Sequence, residues 1–411
     1  MPNIVAPSNA ELGFEITASK KSWVLASGHA VSCLSDAVFE DSSFHDNKIE
    51  IAGLLSGAGG GNAGIHVEGL RTTINIDVSG SVQGAYGVVL SGDNEVLDNQ
   101  GHIGGAGTAI LASGNAASVE NSGSLLASDG LGVDLRGGSG QDQFDNTGTI
   151  TADTGIITDG AVKLTNGASG EVTVNHDAVR LETAAGVHSK ITNLGEMTST
   201  GKHYVILGGN GNETVVNRGT LTGQIDLGGG NDVFDNRGGT VVGFLPGGEA
   251  FGGKGNDTYL ISSNINLFEY KGEGTDTVKS SISYTLSDNF ERLFLTGSAD
   301  INATGNASAN VIHGNKGDNI LDGKTGADHL TGSGGADTFV FKTGYGKDTI
   351  TDFAHGVDHI NLSGLTGIQG FADLKSHIEV SGDNLVIHVG TDTLTLDGVH
   401  KGDLTSADII F

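Results

Sequence analysis

The run GNASANVIH-GNKGDNILD-GKTGADHLT-GSGGADTFV, residues 305–340, decides the fold. It is four nonapeptides without a gap. Each opens on Gly, carries Asn or Asp at its sixth place (Asn310, Asn319, Asp328, Asp337) and has a large apolar residue at its eighth (Ile312, Leu321, Leu330, Phe339). An earlier unit, GGKGNDTYL (252–260), fits the pattern G-G-x-G-x-D-x-U-x at every defined position, U being a large apolar residue. Nine residues cannot bury an apolar side chain alone, so the units must stack, the Gly-rich half turning and the apolar half forming a short strand. Successive units alternate sides of a flattened roll, which pairs 305–313 with 323–331 and 314–322 with 332–340.

Upstream a second repeat takes over, an Asn-x-Gly pair followed by an aliphatic residue. Its Asn residues are Asn99, Asn121, Asn146, Asn193, Asn217 and Asn236, with Asn166 in the one double gap. Before most of them lies a short alternating strand ending in Leu: Leu90, Leu111, Leu135, Leu181, Leu207 and Leu227. Two such strands with their turns make a coil of about 20–25 residues that must also stack. Asn tolerates the left-handed conformation and bonds neighbouring backbone, and the Gly supplies positive φ, so one turn can recur in every coil as a stacked Asn ladder. The chain therefore reads as all-β, a parallel β-helix or β-solenoid continuing into a β-roll. The expected boundaries are a cap over 1–48, β-helix over 49–245, roll over 246–340 and a closing region over 341–411.

The Gly-rich turns suit a hard cation. Calcium takes six to eight oxygens at about 2.3–2.6 Å, and these turns aim backbone carbonyls and a carboxylate inward. The expected ligands are Gly253, Gly255 and Asp257 in the first unit, with Asp276 of GEGTD facing Asp257. In the later units they are Asn319, Gly326, Asp328, Gly335 and Asp337. Asn310 and Asn319 stand where Asp is usual and remove one charge from each paired site. Calcium-type turns also fall inside the Asn-x-Gly coils at GGSGQD (137–142), GGNGNE (208–213) and LGGGND (227–232). Glu213, Asp232, Asp257 and Asp276 are spaced 213→232→257→276, about one coil each, which predicts a carboxylate ladder down one edge. Asp142 joins it as a ligand or stands alone as a surface turn.

Residues 250–411 resemble the calcium-binding repeat region of RTX (repeats-in-toxin) proteins, including the run EGTDTVKSSISYTLSDNFERLFLTGSADINATGN (273–306) and the segment ADTFVFKTGYGKDTITDFAHGVDHINLSGL (336–365). The resemblance of the latter to the region that follows the repeats implies a further GxGxD turn closing the roll, with Asp348 as its ligand. The coils over roughly 50–245 resemble autotransporter-passenger and polysaccharide-lyase β-helices. The tail LTLDGVHKGDLTSADIIF (394–411) is similar to RTX C-termini that end in an acidic residue followed by apolar ones. That resemblance implies an uncleaved type I secretion signal, the type I machinery as a partner and a secreted, extracellular or cell-surface location.

Composition agrees. With 49 Asp+Glu against 21 Lys+Arg the net charge is −28, which disfavours nucleic acid and anionic membranes and favours bound cations. Cys33 is alone, so neither an internal disulfide nor a multi-Cys zinc site can form. Neither a basic, then apolar, leader nor an 18-residue apolar span is present. Aromatics are 5%, so the interior must be layered Val, Ile and Leu. His-Glu-x-x-His and Gly-x-Ser-x-Gly are missing, which removes the chemistry of RTX proteases and lipases. Tyr86-Gly87 continues into Val88-Val89-Leu90 rather than the Tyr-Gly-x-Asp-Pro-His of alginate-acting β-helices. The pairs His45/Asp46 and His176/Asp177 point to opposite faces if they lie in strands. The expectation is a calcium-dependent structural solenoid of a surface layer, matrix or adhesive filament, binding itself or a surface polysaccharide; a polysaccharide-modifying β-helix of the alginate epimerase or lyase type is the alternative.

Overall fold

A computed structural model describes residues 4–5, 14–16, 18–33, 35–57, 61–201 and 203–411. They form a β-solenoid of about 15 turns, and the chain divides into two compact units, Met1–Asp232 with Gly238–Phe251 and Val233–Arg237 with Gly252–Phe411.

In the first unit one sheet runs through Ser22–Leu25, Lys48–Ile51, Thr73–Ile76, Val96–Asn99, Ser118–Asn121, Asp142–Asn146, Val162–Asn166, His188–Asn193 and Asn212–Asn217, every neighbour parallel. Alternation explains the faces: Ile49, Ile74, Leu97, Val119, Phe144 and Leu164 stack inward, each no more than 1% exposed. A second parallel stack contains Leu54–Gly57, Ser81–Leu90, His102–Ala112, Ser124–Asp134 and Thr149–Thr158. The Asn positions stack in register, Asn99 on Asn121, Asn121 on Asn146, Asn146 on Asn166, Asn166 on Asn193 and Asn193 on Asn217. Each donates its Nδ2 to the next Oδ1, at 2.7, 2.7, 2.8, 2.9 and 2.9 Å in that order. This is the ladder the sequence implies; its amides are all buried, and each takes its neighbour's bond except that Oδ1 of Asn99, at the first rung, has no partner.

Two expectations change. The Leu marks are not one column: Leu90 pairs with Ala112 and Val89 with Leu111, while Arg180 pairs with Leu207, so Leu111 and Leu207 sit one place early and only half-buried. The inward positions in those coils are Ala112 and Gly208, and coils of unequal length shift the apparent mark without shifting the rung. The expected cap over 1–48 is also built of rungs where it is described, since Ile4 pairs with Trp23, Trp23 with Ile49, Phe14 with Val38 and Ala30 with Leu54, all parallel. Without Asn-x-Gly turns these coils escape the pattern. Whatever part of the cap falls on 1–3, 6–13, 17 and 34 lies outside the described residues.

In the second unit Thr258–Ile261, Thr277–Ser280, Arg292–Leu295, Val311–His313, His329–Thr331 and Lys347–Ile350 form one parallel sheet. Tyr284–Thr285, Ala303–Thr304, Ile320–Asp322, Thr338–Lys342, His359–Gly364 and Ile409–Ile410 form another. Consecutive nonapeptides alternate between the sheets, so units two apart stack as expected, Val311 on His329 and Ile320 on Thr338. Beyond Lys347–Ile350 the chain turns antiparallel through Ile378–Ser381, Asn384–Val389 and Asp392–Leu396, the last of which covers that strand. The short strand Ile378–Ser381 then becomes the edge in place of Lys347–Ile350. Among the described residues no helix is long and apolar enough to cross a membrane.

Candidate metal sites

The acidic position of each turn sits where a strand begins, and its carboxylate reaches back one rung. Asp328 Oδ1 accepts the Asn310 N–H at 2.7 Å, Asp348 Oδ1 the Asp328 N–H at 3.1 Å, and Asp337 Oδ1 the Asn319 N–H at 2.8 Å. Asp276 does the same for Asp257 at 2.8 Å and Asp232 for Glu213 at 2.6 Å. One carboxylate oxygen is therefore spent on holding the rung. The second oxygens of Asp328, Asp348 and Glu213 are buried without a hydrogen bond. A buried, unpaired carboxylate oxygen is costly unless a proton or a cation meets it, and an all-oxygen set of carboxylates and turn carbonyls suits calcium.

Electrostatics say the same. Burial pushes Asp328 and Asp337 up to about 6 and Asp348 to about 7, the facing carboxylates Asp322, Asp358 and Asp328 adding to each in turn. Asp276 rises to about 6 for the same reason, with Glu291 and Glu273 nearby. Glu213 is raised by burial against the hydrogen bond from Thr183. These sites hold their negative charge poorly without a counter-charge.

The expected glycines lie in the left-handed region, Gly253 at φ 90°, Gly255 at 130°, Gly326 at 155° and Gly335 at 116°. At Gly326 a Cβ would press on the Ser308 carbonyl below and on Asp328 Oδ1, so a side chain there would occupy the space the carboxylate faces.

Sequence reasoning missed Glu269, Glu291 and Asp358. Asp257, Glu269 and Asp276, all buried, each offer an oxygen within 4.8 Å of the others. Glu269 accepts the Tyr259 hydroxyl and the Gly253 N–H, and a Cβ on Gly252 would collide with Glu269, Tyr259 and Asp257 together. Burial lifts Glu269 to about 8. It follows the strand Asn266–Phe268, outside any nonapeptide, so only the coil closure reveals it. Glu291 accepts the Asp276 N–H at 2.9 Å and Asp358 the Asp337 N–H at 2.9 Å, extending both edges by one rung.

The other expected ligands differ. Asn319 spends its side chain on the protein, Oδ1 taking the Asn315 N–H and Nδ2 reaching the Ile301 carbonyl and Asn315 Oδ1. Asp142 accepts the Ala117 N–H at 2.9 Å and has Val162 on its other side, so neither adjacent rung brings it a carboxylate; burial lifts it to about 6. His45 contacts Asp46 at 2.8 Å beside Arg71, whereas His176 contacts Asp153 at 2.9 Å and Asp177 turns in to the Tyr204 N–H.

Residues 304–339 match the family described as RTX calcium-binding nonapeptide repeat, in four copies. These are RTX repeats. The chain is 45% identical over 139 residues to the endo-1,3-1,4-beta-glycanase ExsH of Rhizobium meliloti (strain 1021), covering 34% of this chain and 29% of that protein. It is 47% identical over 135 residues to the endo-1,3-1,4-beta-glycanase EglC of the same organism, covering 33% and 28%. The RTX-bearing chain thus matches less than a third of the length of either relative. The extracellular lipase LipA from Serratia marcescens aligns with a TM-score of 0.22 at 17% identity, over 56% of this chain and 41% of that one, a likeness that carries no argument.

Proposed function

We propose that this chain is a secreted structural β-solenoid whose RTX turns bind calcium outside the cell and so hold its fold, serving in a surface layer, matrix or adhesive filament. The observation that carries the reading is the repeated buried carboxylate, one oxygen on the rung below and, at Asp328 and Asp348, the other without a hydrogen bond. A cation supplies the opposite charge and the missing coordination at once. Extracellular modules bind calcium with Kd of about 10⁻⁴–10⁻³ M, so the turns fill outside the cell and stay empty inside. At ten times Kd each site adds roughly 1.4 kcal/mol, and five such sites roughly 7, comparable to the whole stability of many domains. Export belongs to the same reading: the tail passes through the type I machinery before calcium locks it. In the folded chain Asp408 is buried and pinned by Gly356, Thr405 and His355, and Ile409–Ile410 pairs with His359–Gly364. The tail is legible as a signal only before folding.

The test is assembly. Purified chain brought into millimolar calcium should form ordered sheets or filaments by electron microscopy, alone or on a surface polysaccharide, and chelator should disperse them. Particles that stay monomeric in calcium would argue against self-association. The endo-1,3-1,4-beta-glycanase relatives favour a second reading, a module of a polysaccharide-acting enzyme. New reducing ends released from a β-1,3-1,4-linked glycan by the chain alone would establish it.

A further inference from the structure

Two carboxylates in the first unit, Glu40 and Glu95, are 0% exposed and lie far in sequence from every RTX repeat. Glu95 belongs to the same column as the acidic turn positions. Thr73 pairs with Val96 and Val96 with Ser118, so Thr72, Glu95 and Ala117 occupy successive rungs at the place where a strand begins. Glu40 closes the strand Val38–Glu40 and reaches the same turn, accepting the Asn47 amide on Oε1 and the Thr72 hydroxyl on Oε2 at 2.7 Å. Neither oxygen of Glu95, both buried, meets a side-chain partner, and the Gly92 amide approaches them.

Tightly packed glycines stand between the two acids. A Cβ on Gly69 would collide with the Glu40 carboxylate and the Phe44 carbonyl; one on Gly92 would collide with the Gly69 carbonyl and Glu95 Oε1. Glycine at both places lets two carboxylates and turn carbonyls converge, as Gly252 does over Asp257 and Glu269. Burial and then the Glu40 charge push Glu95 up to about 9, the Gly92 amide countering only in part. The nearby cations are engaged at the surface, His45 and Arg71 both on Asp46 at 2.8 and 2.7 Å.

The geometry points to a second class of calcium site, held by Glu40 and Glu95 with the Gly69 carbonyl, outside the RTX repeats. Its donors, two carboxylates and a carbonyl, are hard oxygens, which select calcium over the softer transition metals. Its occupant ties the first rung of the Asn ladder, Val96–Asn99, to the preceding coils that lack the ladder.

Crystals of the full chain grown in calcium chloride, with anomalous scattering recorded, test this directly. A peak within coordination distance of both carboxylates is expected; carboxylates in mutual contact without a peak overturn it. In solution, equilibrium dialysis of full-length Glu95→Gln should show one calcium fewer than the parent, and unchanged stoichiometry also overturns it. Should Glu95→Gln not fold, the parent's anomalous map decides. Peaks at the 305–340 turns without one at Glu95 would refute this site while leaving the RTX reading intact.

Discussion

Asn146 shows what one rung residue does. Its Oδ1 takes Asn121 and its Nδ2 gives to Asn166 and to the Gly148 carbonyl at 3.2 Å, all in the interior. Asn146→Ala leaves a buried donor and a buried acceptor unmet, so urea unfolding should lose roughly 2–4 kcal/mol, whereas exposed Lys163→Ala on the neighbouring strand should change stability by less than about 0.5. Equal effects would mean that the ladder contributes nothing. Asp328→Asn makes a different prediction. The amide oxygen still accepts the Asn310 N–H, but the buried charge, its carboxyl raised to about 6, is gone. In chelator at about pH 8 the variant should be more stable than the parent by on the order of 2–3 kcal/mol. In calcium the order should reverse, because one ligand charge is lost. A variant that is destabilised equally in both conditions would show that Asp328 serves only the rung.

At the level of the coil, several carboxyls with raised values titrate together. Asp142, Asp276, Asp328 and Asp337 sit at about 6, Asp348 at about 7 and Glu269 at about 8, against about 4 in an unfolded chain. The folded state thus holds these protons more tightly than the unfolded state does. The stability this gives is complete below about pH 4 and is lost as pH climbs through about 6 to 8. Metal-free protein should therefore weaken from about pH 5 to 8 while the gain from calcium widens; chelated samples whose urea midpoint is flat or rising over that range would contradict the assignment. Much of this level was legible. The nonapeptide spacing gave the pairing of units two apart, and the Asn-x-Gly spacing gave the ladder, because turn chemistry is local. Glu269, Glu291 and Glu40 were not legible, since each meets its partners only after a coil has closed. Leu111 and Leu207 misled for the same reason: an irregular coil moves a residue one place off its rung without altering its local sequence.

For the whole molecule, a net charge of −28 and a scarcity of aromatic anchors leave a fold made of thin layers. In each unit rung hydrogen bonds and aliphatic columns repeat from coil to coil, yet buried carboxylates recur at the turns, and these oppose folding unless a cation joins them. On the proposed reading, calcium binding and folding are one equilibrium. Thermal unfolding of the full chain, followed by circular dichroism in excess chelator and in millimolar calcium, should show a cooperative β transition in calcium and a midpoint lower by on the order of 10 °C or more in chelator; the same spectrum and the same midpoint in both would rule that equilibrium out.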